Sequence, residues 1–334
     1  RAALCEFLAY FHTITSYTIL LNASSIYVYM LSCIFAFVNR KKKFLHSPPA
    51  LNMQYSCGII YLLFSSEVHF MDKKIAVLTG GTSGIGMQTA LALKNAGYTV
   101  YELSRRAQGV EGLNHLVADV TDEAAVKKAV DEIVAREGKI DVLVNNAGFG
   151  ISGAVEFTKT EDAKRLFDTN FFGMVNMNRA VVPVMREVGQ GRIVNISSVA
   201  GQIPIPFQTY YSAAKAATNS YTMALANELR PYGVTVCAVQ PGDIKTGFTK
   251  AREKTVDGDD VYGGRIGRSV SRMEHDEQTG MDPAVAGKFI ANVAMKKRVS
   301  PIYTIGASYS FLTFLTRLMS WKTMNKIIGA IYAK

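Results

Sequence analysis

From Lys74 onward, short apolar runs alternate with stretches whose apolar positions recur every three or four residues. Residues 75–78 (Ile-Ala-Val-Leu) read as a buried strand, followed by a Gly-rich turn and a helix over about 86–96 that Gly97 ends. Residues 98–103 and 116–118 are the second and third strands. Thr121 or Asp122 caps a helix to about residue 137, with Val126, Val130, Ile133 and Val134 at helical spacing. Strands at 141–144 and 192–196 flank a long helix over about 162–188. A helix over about 211–229 then leads to a sixth strand at 235–239. Short apolar strands separated by helices predict an α/β fold, a doubly wound parallel sheet covered on both faces. After Pro241 the pattern loosens through a polar, Gly-rich stretch, so 242–282 is expected to be a lid region. The segment 301–334 reads as helical, apolar and basic. Packing on its own domain, covering a substrate pocket, joining a partner and lying on a membrane surface all fit it.

The first seventy residues have a different character. From Leu4 to Val38 only Glu6 and His12 interrupt an apolar stretch, which runs into Arg40-Lys41-Lys42-Lys43. Length and basic flank fit a membrane anchor with its C-terminal side in the cytoplasm. Met71, directly before Asp72-Lys73-Lys74 and the first strand, also stands where such a domain would naturally begin. Residues 1–70 are therefore expected to be an over-extended gene model, a membrane anchor or a soluble extension, and 71–334 the catalytic domain. The expected location is cytoplasmic, with membrane attachment through 1–40 if that segment is translated.

Composition narrows the function. With 334 residues, 49% of them hydrophobic, the chain has ample material for a large core. Its net charge of +10 divides into +3 over residues 1–70 and +7 over the remainder. No basic stripe interleaved with aromatics accompanies it, so no nucleic-acid partner is expected. Cys5, Cys33, Cys57 and Cys237 have no spacing that suggests a disulfide framework or a metal site.

The chemistry lies in a series of motifs. Thr79-Gly80-Gly81-Thr82-Ser83-Gly84-Ile85-Gly86 joins the first strand to its helix, and its glycines let a phosphate approach backbone N–H groups at the helix N-terminus. Asp119-Val120 follows the third strand and Asn145-Asn146-Ala147-Gly148 the fourth. Asn170, Ser198, Tyr211-Ser212-Ala213-Ala214-Lys215 and Pro241-Gly242 with Ile244 and Thr246 come next in order. Lys215 stands one helical turn beyond Tyr211, so both project from one face, and Tyr210 lacks that spacing.

In order and spacing, residues 73–250 resemble the short-chain dehydrogenase/reductase family, with its Rossmann-type fold. The resemblance implies Asn170, Ser198, Tyr211 and Lys215 as the catalytic set. It implies a nicotinamide cofactor held by Gly80, Thr82, Ser83, Gly84, Ile85, Gly86, Arg105, Asp119, Val120, Asn145, Ala147, Gly148, Tyr211, Lys215, Pro241, Gly242, Ile244 and Thr246. Tyr211 would be the acid/base. A phenol has an unperturbed pKa near 10, and the Lys215 ammonium, with an oxidised nicotinamide, is expected to favour phenolate. Asn170 would support a water-mediated proton path to Lys215. At the end of the second strand Ser104 takes the place of the acid that binds ribose hydroxyls in NAD-preferring relatives. Arg105 follows, able to pair with a 2′-phosphate, so NADP(H) is expected rather than NAD(H); Arg106 reads as a surface charge.

Phe149, Ile205 and Phe207 are the candidate substrate wall, apolar residues on the loops after the Asn-Asn-Ala-Gly motif and after Ser198. The features resemble the hydroxysteroid and retinol dehydrogenase branch and imply a lipophilic alcohol or ketone. A 3-oxoacyl-[acyl-carrier-protein] reductase and a non-catalytic NADP(H) sensor remain open, and the resemblance implies a homodimer or homotetramer.

Overall fold

The computed structural model describes residues 73–333; the expectations for 1–70 fall outside them. The N-terminal strands and helices are β1 (Lys74–Thr79), α1 (Gly84–Asn95), β2 (Tyr98–Ser104), β3 (Asn114–Val117), α2 (Glu123–Glu137) and β4 (Val142–Asn145). They are followed by β5 (Ile151–Ser152), α3 (Thr160–Phe167), α4 (Gly173–Val188), β6 (Gly191–Ile196), α5 (Thr209–Leu229) and β7 (Val234–Gln240). Next come α6 (Phe248–Ala251), β8 (Glu253–Lys254), α7 (Arg265–Gln278), α8 (Pro283–Met295), β9 (Ile302–Thr304), α9 (Ala307–Leu315) and α10 (Trp321–Tyr332). The main sheet has seven parallel strands in the order β3-β2-β1-β4-β6-β7-β9. It is the expected doubly wound fold, with the strand order reversing between β1 and β4.

Alternation along the strands divides the core into two layers. Ile75 and Val77 of β1 face α2, α4 and α5, burying Ile133, Met177, Val181, Met185 and Leu225 among others. Ala76 and Leu78 face α1 and α8, against Leu93, Ala286, Ile290 and Val293. Successive strand side chains point to opposite faces, so a strand covered on both sides is apolar throughout. Asp122 caps α2 by accepting from the N–H groups of Ala124 and Ala125, and Gly138 ends it at φ 74°.

Four features depart from the sequence expectations. The helix expected over 162–188 is two, because a π turn at Asp168–Phe172 separates α3 from α4. The lid region 242–282 is not loose: α7 buries Ile266, Ser269, Val270 and Met273 along one face. Its apolar residues are diluted by Arg, Gly and Ser, which hides the stripe in a polar stretch. A seventh strand, β9, follows Pro301, and α8 covers the sheet in front of it, capped by Asp282. The C-terminal segment folds as two helices, α9 and α10, parted at residues 316–320. Among the described residues no helix is long and apolar enough to cross a membrane.

α8 lies so close to α1 that a Cβ on Gly287 would come within 2.6 Å of the Gln88 carbonyl carbon. Its Ile290 is fully buried between helix and sheet. Ile290→Ala should therefore cost about 2–5 kcal/mol of stability, read as a lowered urea midpoint with an unchanged slope.

Candidate active site

The strand ends at the switch point build the first part of the site. Thr79 Oγ1 accepts from the backbone N–H of both Asn146 and Ala147, each at 3.0 Å. Asn146 Nδ2 donates back to the carbonyls of Thr79 (3.0 Å) and Gly80 (3.1 Å). The Gly-rich loop springs from this staple, with Gly80 at φ 68° and Gly84 at φ 55°, a region that favours glycine. A Cβ on Gly86 would meet the Gly80 carbonyl oxygen at 2.3 Å. Ser83 stands at the N-cap of α1 without capping it through its side chain, so the first N–H groups of the helix stay open to an anion. Thr246 lies 3.5 Å from where a Gly84 Cβ would be and borders the loop from the other side. These residues fit the pyrophosphate of a dinucleotide.

On the adenosine side, Glu102 is wholly buried beneath Gly81 and faces His115 Nδ1 at 2.7 Å. The last side chains of the β2 end are thus Ser104 and two exposed arginines. Arg105 lies 4.0 Å from Asp119, and Arg106 Nη1 donates to the carbonyl of Thr82 at 3.3 Å. Arg106, read from sequence as a surface charge, is tied to the cofactor loop. Val120 is buried against Gly173 at the start of α4. Asn145 turns into the sheet, where its Nδ2 donates to Asn178 (2.8 Å) and Asn195 (2.9 Å), so only its backbone is left for a cofactor.

The second part rests on α5. Lys215 is buried, with Nζ donating to the Ile196 carbonyl at 2.8 Å and lying 5.6 Å from the centre of the Tyr211 ring. Two close contacts hold the Ser198 loop on this turn of helix. Ser197 Oγ donates to the Lys215 carbonyl at 3.0 Å, and a Cβ on Gly201 would stand 2.6 Å from the Lys215 carbonyl carbon. Ser198 Oγ accepts from Ala200 N–H at 3.1 Å, which leaves its own proton for donation to a neighbouring oxygen. Burial pushes Tyr211 up to about 12, against the opposing pull of a hydrogen bond from Ser198. Burial also pushes Lys215 down to about 8. Burial is thus the leading influence on Tyr211, with the hydrogen bond from Ser198 and the Arg252 charge acting against it.

Asn170 lies in the π turn, where its Oδ1 accepts from Phe149 N–H (2.9 Å) and its Nδ2 donates to the Phe149 carbonyl (2.8 Å). Its amide is therefore occupied in holding the turn after Gly148. Phe149 packs with Ile151, Leu166, Ala214 and Tyr211, beside the acid/base candidate. Phe207 takes the left-handed conformation at φ 61° and is buried with Ala154, Ile266, Val270 and Met273, with Ile205 against the same cluster. Its ring is thus committed to α7 rather than to an open pocket. Two residues enter the site that sequence reasoning missed. Phe248 stacks obliquely 5.7 Å from Tyr211, while the Tyr309 ring fills the space a Gly242 Cβ would need and its hydroxyl donates to Asp243. Their only signal was an aromatic shortly after the Pro-Gly motif and another at the start of the C-terminal helices.

A dinucleotide cradle opposite a Ser, Tyr and Lys on one loop and one helix defines a nicotinamide-dependent oxidoreductase. The chain belongs to the short-chain dehydrogenase/reductase family: the short chain dehydrogenase sequence profile matches residues 74–257. Over 231 residues it is 42% identical to a 3-ketodihydrosphingosine reductase of Bacteroides thetaiotaomicron, covering 68% of this chain and 86% of that protein. The structure is similar to ElxO with NADP bound, at 30% identity and TM-score 0.61, over 72% of this chain and 99% of the other. It is also similar to the 3-ketoacyl-(acyl-carrier-protein) reductase of Brucella melitensis complexed with NADH, at 25% identity and TM-score 0.61, over 71% of this chain and 98% of the other.

The displaced Lys215 has a measurable consequence. Its proton is bound less tightly in the folded chain than in the unfolded one, so stability rises as pH goes from about 8 to 10.5. Lys215→Met should stabilise the protein by about 1–3 kcal/mol below pH 8, with the difference closing by pH 10.5. Urea unfolding of both proteins at pH 7 and pH 10 checks the sign.

Proposed function

We propose that the protein is an NADP(H)-dependent reductase of a lipophilic, long-chain ketone, run by Ser198, Tyr211 and Lys215 with Asn170 as a positioning residue. The observation that carries the cofactor choice is the β2 end. The acid of β2 itself, Glu102, is buried against His115, while Arg105 and Arg106 flank the loop where a 2′-phosphate would lie. The apolar surroundings of Tyr211, from Phe149, Ile151 and Phe248, favour a substrate with a hydrocarbon body. The Bacteroides relative, a 3-ketodihydrosphingosine reductase by name, supports a ketone of that kind.

When bound, the cofactor supplies the hydride. Ser198 donates its proton in a hydrogen bond to the substrate oxygen and fixes the carbonyl. Tyr211, kept neutral by burial, gives its proton to that oxygen as charge develops there. Lys215, anchored at the Ile196 carbonyl, places its ammonium beside the phenol and eases the transient phenolate. Asn170 holds Phe149 and the Gly148 turn at the nicotinamide side of the site.

Tyr211→Phe should lower the rate of ketone-dependent NADPH oxidation by about 10²- to 10⁴-fold while NADPH still binds. Retained turnover would reject Tyr211 as the proton donor. Binding without turnover of any substrate by the unmodified protein would favour a sensor, and turnover of acyl thioesters alone an acyl-carrier-protein reductase. Arg105→Ala should shrink the preference for NADPH over NADH by about ten- to hundredfold, measured as the ratio of kcat/KM values; an unchanged ratio would remove Arg105 from 2′-phosphate recognition.

A further inference from the structure

The positive charge, spread over most of the chain, becomes one-signed at its end: residues 283–334 contain eight Lys/Arg and no Asp/Glu. The same stretch gathers many of the exposed large apolar side chains of the described residues, the three most exposed aromatics among them. Trp321 is 80% exposed, Leu318 70%, Phe311 63% and Phe314 52%, and Ile327 and Ile331 add a strip one turn apart on α10. Arg317, Lys322 and Lys326 are exposed among them, and none pairs with a carboxylate among the described residues.

The opposite face of these helices is occupied. Met324 and Ile328 pack on Val199 and Ile203 of the loop after Ser198. Gln202 donates from Nε2 to the Thr313 carbonyl and to Thr316 Oγ1, both at 2.9 Å. Tyr309 fills the space beside Gly242. The helices thus fasten to the catalytic loops on one side and present aromatics and lysines on the other.

We infer that α9 and α10 form a docking surface for an anionic lipid bilayer. Aromatic and aliphatic side chains enter the headgroup boundary, and Arg317, Lys322 and Lys326 meet the lipid phosphates. Exposed apolar side chains gathered in one segment are costly in water, and a neutral apolar partner would not account for a segment without a single acid. Docking in this way brings the loops around Ser198 and Pro241 to the lipid surface, where a lipophilic ketone is concentrated. The docking itself does not depend on the substrate reading.

Trp321 is the only tryptophan of the chain, so its fluorescence reports this surface alone. The full chain should show a blue-shifted emission, quenched by brominated lipid, with vesicles of phosphatidylcholine and phosphatidylglycerol. The shift should be much weaker with phosphatidylcholine alone and should be reduced by high salt. The triple variant Arg317→Glu, Lys322→Glu, Lys326→Glu should partition about a hundredfold less well, its thermal unfolding transition serving as the check on folding. An emission unaffected by anionic vesicles would overturn the proposal. So would a blue shift that grows with protein concentration in the absence of lipid, which would assign the patch to a second copy. Failure of the reductase reading shows separately, as NADPH oxidation absent with every ketone, because the vesicle readout needs no substrate.

Discussion

Where β1 and β4 diverge at their carboxyl ends, the N–H groups of Asn146 and Ala147 leave the ladder and would be stranded in a crevice. The Thr79 hydroxyl takes both, and the Asn146 amide returns two donors to the carbonyls of Thr79 and Gly80. An unpaired buried backbone group costs as much as a lost hydrogen bond, so this exchange decides whether the crevice can stay open. Everything on the cofactor side depends on it. The Gly-rich loop begins at Gly80, and Gly86 sits against the Gly80 carbonyl and the Asn146 amide with no room for a Cβ. The turn at Gly148 is then fixed from the far side by Asn170.

A second polar system runs beneath the reacting groups. Asn145 links Asn178 and Asn195, Asn195 donates to Thr222, and Thr222 donates to the Thr218 carbonyl within α5. These bonds join β4, β6, α4 and α5 through groups that would otherwise be buried without partners, and they fix the rotation of α5 about its axis. That rotation directs Lys215 inward to Ile196 and keeps the helix against Gly201. The same dry setting moves the two ionisable groups of the site in opposite directions, Tyr211 upward and Lys215 downward. Both displacements favour the neutral forms. A neutral phenol with a proton to give suits carbonyl reduction, and the cost of burying the ammonium is borne by the folded state.

The parallel sheet, the Gly-rich loop and the Tyr211–Lys215 pair were legible because each follows from a local rule. Buried parallel strands must be apolar on both faces, a phosphate cradle needs glycine, and a four-residue spacing aligns two side chains on a helix. What escaped was set by tertiary contact. The π turn that delivers Asn170 to Phe149 interrupts a stretch whose periodicity reads straight through it. Arg106 looks like any surface arginine until the β2 end folds back over the Thr82 carbonyl. Phe207 reads as an apolar pocket residue, yet its left-handed backbone turns the ring toward Ile266 and Met273 of α7. Nothing in its neighbours forecasts that, because α7 itself was concealed among polar residues.

Two loops that border the site depend on the C-terminal region. Pro241 O accepts from Val199 N–H at 3.0 Å and joins the loop after β7 to the loop that carries Ser198. Gly242 then admits the Tyr309 ring, and Val199 and Ile203 receive Met324 and Ile328. A substitution on α9 or α10 thus reaches the loops after Ser198 and Pro241, while the hydrogen bonds that hold Lys215 and the crevice at the strand ends lie within the sheet and α5. The fold thus keeps two regions apart: the strand ends and α5 hold Tyr211, Lys215 and the crevice, and the helices after β9 hold the loops that border them. Substrate choice can then diverge between relatives without disturbing Tyr211 or Lys215, which is why motifs read from sequence define the reaction sooner than the molecule it acts on.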